Sequence, residues 1–378
     1  MKKTFVALSI CLLVFVSNAF LAHCLDIESE LQTYNIEELD GYTDGDTDFY
    51  TDGAGFFDTV RRFVRGDEVL NVKNVLKAIV TGFFSEAKGC FSTLVSILAI
   101  SLLFSLLNNI KGEFNSATVS ETAFFVCYLL LATQILKVFA DVASLVTSSV
   151  KSVSVFISAA APVLMTMLIT TGAISAAATI NPTILFAAQI VTIVAEKFFI
   201  PLLYSSTALY IVSEVNETIK VSKFADFLKK TVRWSLSLIL TIFVSVLGIQ
   251  GFCSATLDTT AAKTARYLVG TAVPVVGGII SETLETVVGC SRVIKNATGA
   301  TGVIVVLVIA TAPILKILAV STAFYLGAAV LEPITDRRIS NMMSSVASVT
   351  SLMAAIIVTI AVLFIICIGM VMCIGNTT

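Results

Sequence analysis

Seven long apolar runs, at roughly 90–108, 119–140, 153–179, 183–213, 231–251, 301–330 and 350–373, leave this chain few folds to choose from. Each is compatible with one bilayer crossing, because about 20 helical residues span a hydrocarbon core of about 30 Å. With 57% hydrophobic and 13% charged residues, the chain has too little polar side-chain surface to cover a soluble globule of 378 residues. The expected fold class is an all-α polytopic membrane protein.

The first 24 residues have a basic start (Lys2, Lys3), an apolar core and small residues near Ala22, the pattern of a cleaved secretory signal peptide over 1–24. Leu21-Ala22-His23-Cys24 approaches a lipoprotein cleavage box, but His23 stands where a small residue is expected. Residues 25–88 then hold fourteen acidic residues against six basic ones. The stretch 25–66 lacks periodic apolar positions and is expected to be a flexible acidic extracytoplasmic arm. Asp44, Asp46 and Asp48 resemble the opening of a calcium loop, yet Phe49 and Gly55 occupy the positions where glycine and glutamate are required. Over 67–88, Val69, Val72, Leu76, Ile79, Val80 and Phe83 recur at helical spacing, predicting an amphipathic helix at the membrane surface. The helical transmembrane domain follows at 89–378.

Counting all seven runs as crossings creates a conflict. A chain that starts outside and crosses four times would be outside again at Lys220, Lys223, Lys229, Lys230 and Arg233, whereas positive loops face the cytoplasm. One run must therefore not cross by itself. The run 153–179 is rich in Ala, Ser and Thr and holds Pro162 and Gly172, so it reads as a re-entrant or internally buried hairpin. The expectation is about six full transmembrane helices plus one or two re-entrant elements, with 214–233 and 331–349 cytoplasmic. A shift of 112 residues superposes Lys151 on Lys263, Pro162 on Pro274 and Pro201 on Pro313, which suggests a parallel repeat of 119–230 and 231–342.

Charges inside such a domain mark candidate sites, since translocon scales put Lys or Arg at mid-membrane at about 2.5–3.5 kcal/mol each. Glu196 and Lys197 interrupt an apolar run; being adjacent they diverge by about 100° on a helix, so at least one needs a partner on another helix or in water. Asp258, Lys263, Arg266, Glu282, Glu285, Arg292 and Lys295 populate the polar stretch 248–302 and nearly cancel in charge. They are read as lining a polar path or contacting a partner, with internal ion pairing as the rival reading. Pro162, Pro201, Pro274 and Pro313 are expected to break their helices, and Gly299 and Gly302 to permit close backbone approach. Lys137 and Lys316 are placed near the ends of apolar runs, within snorkelling reach of headgroups. The single histidine, His23, falls in the signal peptide, and the eight cysteines show no metal-ligand spacing, so no catalytic, cofactor or metal site is expected.

Several stretches carry a resemblance. LTIFVSVLGIQG from Leu240, DTTAAKTARY from Asp258, PVVGGIISETLETVVGCSRVIKNATGATG from Pro274, PILK from Pro313 and EPITDRRI from Glu332 resemble the stage III sporulation protein AE family of endospore-forming Firmicutes. The resemblance implies a non-enzymatic membrane component of a channel or secretion-like complex linking mother cell and forespore, needed for late forespore transcription. It implies as partners the other membrane proteins of the stage III sporulation A operon, their ATPase, and stage II sporulation protein Q across the intermembrane space. Its implied location is the mother-cell membrane around the forespore. It supplies no catalytic or substrate residues. The residues themselves leave open two further readings: a secondary transporter with internal repeats, and a purely structural assembly subunit.

Overall fold

The computed structural model describes residues 39, 55–65, 72–110, 117–215, 221–272, 277–335 and 337–374. The signal peptide, the acidic arm apart from Leu39 and its last residues, and Pro274 lie outside them. Every regular element described is helical: α1 (Phe56–Arg65), α2 (Val72–Ile110), α3 (Ala117–Thr170), α4 (Ile174–Val194), a π-helical turn (Ala195–Phe199), α5 (Ile200–Val215), α6 (Ser222–Ala272), α7 (Gly277–Leu331) and α8 (Arg337–Cys373). Six helical stretches are long and apolar enough to cross a membrane, at 75–103, 125–170, 174–214, 222–258, 286–331 and 337–373.

Three expectations change. The runs 119–140 and 153–179 are not a crossing plus a re-entrant hairpin; both belong to the 54-residue α3, which turns back only at Thr171-Gly172-Ala173. Gly172 takes φ 86°, a left-handed conformation that a β-carbon disfavours. The parity conflict disappears because two runs share one crossing. Second, residues 72–88 of the expected amphipathic segment continue without a break into the 39-residue α2. Third, the arm does not stay irregular to residue 66: α1 forms, Phe56 and Val60 are buried, and the Phe56 ring lies 6.3 Å from that of Phe156 on α3. Phe56, Val60, Phe63 and Val64 share one face, a stripe too short to stand out among acidic residues.

Prolines break less than expected. Pro162 lies inside α3 and Pro313 inside α7 without ending either helix. Neighbouring helices supply the packing that tolerates the lost backbone bond. Pro201 differs, following directly on the π-helical turn, where widened backbone accommodates its missing N–H.

Helix α8 is the axis of the bundle. It packs most extensively on α7 and also touches α3, α5 and α6, while α2 lies on α7 and α3 at one flank and α6 lies on α4 and α5 at the other. The α7–α8 pair runs antiparallel in register from end to end: Ser340 Oγ donates to Ala328 O (3.0 Å), Ser321 Oγ to Ala347 O (2.9 Å), and Lys295 Nζ to Ile374 O. Close approach rests on missing side chains. A β-carbon at Gly299 would stand 2.4 Å from Met372 Cγ, and one at Gly327 2.6 Å from Met343 Cε.

The α5–α6 and α7–α8 connections lie at the same end, since Lys229 Nζ near the start of α6 donates to Ser348 Oγ on α8 (2.9 Å). Lys223, Lys229, Lys230, Arg233, Arg337 and Arg338 gather there, so the positive-inside rule predicts that this end faces the cytoplasm. These helical stretches are long. Five of the six hold 37 to 46 residues, about 55–69 Å at 1.5 Å per residue, against a bilayer core of about 30 Å.

Single cysteines at Lys223 and Asn341 in a cysteine-free background are expected to resist an impermeant thiol reagent added to intact cells, while one at Thr170 reacts; labelling at Lys223 from outside would reverse the topology. Replacing Gly299 with Leu forces α7 and α8 apart and is expected to destabilise the bundle by about 1–3 kcal/mol, read as a lowered Tm in detergent.

Candidate functional site at the extracytoplasmic end

The polar stretch 248–302 splits between two long helices, α6 and α7, where they reach the end of the bundle opposite the basic loops. Asp258 is 9% exposed and receives Ser175 N–H at 2.9 Å on one carboxylate oxygen and Ala176 N–H at 3.0 Å on the other. These amides open α4, whose own N-cap position, Ala173, has no side chain that can accept them. Asp258 thus caps a neighbouring helix, and its negative charge meets the positive end of that helix dipole.

Lys295 performs the mirror task. It is fully buried and donates to the carbonyl of Ile374, just past the last turn of α8, where carbonyls lack amide partners and the dipole end is negative. Two charges that looked like path-lining groups each satisfy a helix terminus. Arg292 is half-buried one turn from Lys295 on α7. The side chains of Lys263, Arg266, Glu282 and Glu285 lie outside the described residues, although the backbone there is helical.

Between these caps is a layer of polar groups that sequence reading missed. Asn181 Oδ1 on α4, Gln250 Oε1 on α6, and Asn296 Oδ1 and Thr298 Oγ1 on α7 are buried without a hydrogen-bond partner. They share one height. The Thr179–Ser254 hydroxyl contact (3.0 Å) ties α4 to α6 within a turn of Asn181 and Gln250, while Gly251 and Gly299 abut Met370 and Met372 of α8. Ser101 and Thr207 hold similar orphaned hydroxyls nearer the basic end. A buried polar atom without a partner costs about 1–3 kcal/mol, so a cluster at one level calls for water or a solute. Uncharged amides escaped notice because their signal within an apolar run is weak.

Glu196 finds its partner on another helix, as adjacency to Lys197 required: Lys151 Nζ on α3 lies 2.7 Å from Glu196 Oε1. The π-helical turn holds both residues, and Lys197 is on the exposed side. Lower in the bundle, a groove of about 540 Å³ between α2, α3 and α7 is lined by Glu86, Asp141 and Lys316 among apolar neighbours. Lys316 lies about midway along the 301–330 run rather than near its end, so snorkelling to headgroups does not account for it. Among the described residues no group of three or more His, Cys, Asp or Glu could hold a metal ion.

Fold and polar layers together define a multi-pass helical membrane protein with charged and amide groups held inside its bundle. Residues 55–375 match the family described as stage III sporulation protein AE, and the chain belongs to that family. It is similar to the stage III sporulation protein AE of Bacillus subtilis (strain 168), with 26% identity over 320 residues, 85% of this chain and 80% of that protein. No solved structure matches the chain.

Changing Asp258 to Ala leaves the first amides of α4 without an acceptor and is expected to cost about 1–2 kcal/mol, read as a lower Tm; Asp258→Asn, which keeps an acceptor oxygen, should lose clearly less.

Proposed function

We propose that this chain is a membrane-embedded, non-enzymatic subunit of a sporulation complex that connects mother cell and forespore, and that its outer polar layer belongs to a water-accessible path. Membership of the stage III sporulation family supports the sporulation role. The observation that carries the path is the set of unpartnered polar atoms of Asn181, Gln250, Asn296 and Thr298 at one height. In this reading the protein resides in the mother-cell membrane around the forespore. It works with the other stage III A-operon membrane proteins and their ATPase, and with stage II sporulation protein Q opposite.

The test uses the asymmetry of buried polar groups. Apolar replacement of an unsatisfied polar atom is neutral or stabilising if that atom only packs. Gln250→Leu, Asn296→Leu and Thr298→Val, combined in one chain, are therefore expected to keep normal abundance while late forespore gene expression falls at least tenfold. Normal sporulation with all three changes would remove the path from this layer.

The Lys151–Glu196 ion pair beside a π-helical turn favours a second reading, a free-standing secondary transporter. Solute flux by the chain alone in proteoliposomes would support it, whereas flux or development that requires partner proteins supports the complex.

A further inference from the structure

Two features of the lower half of the bundle do not suit lipid. The groove between α2, α3 and α7 presents Glu86, Asp141 and Lys316, of which Asp141 and Lys316 are exposed and Glu86 is half-buried. Lys316 stands fifteen residues from the end of α7 at Leu331, about 22 Å from the cytoplasmic turn. Charges at that depth cost too much against hydrocarbon. Moreover, five helical stretches of 37 to 46 residues, about 55–69 Å, outrun a bilayer core of about 30 Å, so part of each stands beyond the hydrocarbon.

On the opposite flank, α6 exposes a mixed basic and aromatic face: Phe224, Phe227, Lys230, Arg233 and Trp234. Its height is known from the Lys229–Ser348 bond, which places Lys229 eleven residues into α8. Arg233, one turn further, stands about 22 Å from the cytoplasmic turn, level with Lys316. The groove carries two carboxylates and one ammonium, and the α6 face at that level carries two cations. The two surfaces differ in net sign and lie mainly on different flanks, since α2 packs on α3 and α7 while α6 packs chiefly on α4, α5 and α8, with a smaller contact to α7.

We propose that the α2–α3–α7 groove receives the Lys230–Arg233–Trp234 face of α6 from a second copy of this chain, so that copies associate head to tail. The contact pairs Glu86 and Asp141 of one copy with Lys230 and Arg233 of the next, and Trp234 covers the apolar groove wall. Such a contact is heterologous: the same two different surfaces repeat at every junction, and the rotation between copies decides whether the series closes into a ring. It does not depend on the outer polar layer, and its readout is oligomeric state rather than spore development.

The test uses the full chain in native membranes. In a cysteine-free background, the pair Asp141→Cys and Arg233→Cys is expected to give an oxidant-dependent ladder of dimers, trimers and higher species. Each single change, which a head-to-tail contact leaves without a partner sulfur, gives none. Cross-linking by Asp141→Cys alone would indicate a self-facing contact and overturn the assignment. Independently, Asp141→Lys is expected to raise the monomer fraction at least tenfold by native mass spectrometry from lipid nanodiscs, and adding Lys230→Glu with Arg233→Glu to restore assembly. Restoration excludes misfolding of the Asp141→Lys chain as the cause. A wild-type chain that is monomeric, with anionic lipid bound at the α6 face, would show that headgroups occupy it and would overturn the proposal.

Discussion

The close antiparallel contact of α7 and α8 governs the rest of the structure. Methionines 343 and 372 occupy space that a side chain at Gly327 or Gly299 would fill, so two helices of 55 and 37 residues stay in register from the Arg337 end to Ile374. Within a membrane, association has no hydrophobic drive, because lipid tails are as apolar as leucine; small residues that let backbones approach supply it through dispersion. With α8 held on α7, its remaining faces receive α3, α5 and α6. The buried hydroxyls of Ser321 and Ser340 reinforce the pair by donating across it to main-chain carbonyls.

Helix ends explain several charges better than transport does. An interior helix that stops inside a bundle leaves amides or carbonyls without partners, and this chain answers with Asp258 at the N-terminus of α4 and Lys295 at the C-terminus of α8. Both signs agree with the helix dipole. A balanced charge set is what terminus capping requires, one sign for each kind of end. Among the polar atoms left over after capping are those of Asn181, Gln250, Asn296 and Thr298, buried without a hydrogen-bond partner.

Length is the third theme. Five helical stretches of 37 to 46 residues are roughly twice as long as a bilayer core is thick.

The sequence alone determined the class: apolar runs of bilayer length dictate helices, and VVGCSRVIKNATG with its companions pointed to the family. It also announced that Glu196 and Lys197 could not both be satisfied locally. What it could not decide was how runs combine. A break of polar residues between 140 and 153 looks the same whether the chain turns or continues as one helix, because helical hydrogen bonds are local and carry no mark of the distance to the next turn. The burial of Phe56 and Val60 escaped for a related reason, since ten residues of periodicity weigh little until Phe156 lies against them. The roles of Asp258 and Lys295, and the pairing of Glu196 with Lys151, depend on residues about 45 to 83 positions away meeting in space. Only tertiary packing decides such meetings, because the partner of a buried charge is chosen by which helix ends arrive beside it.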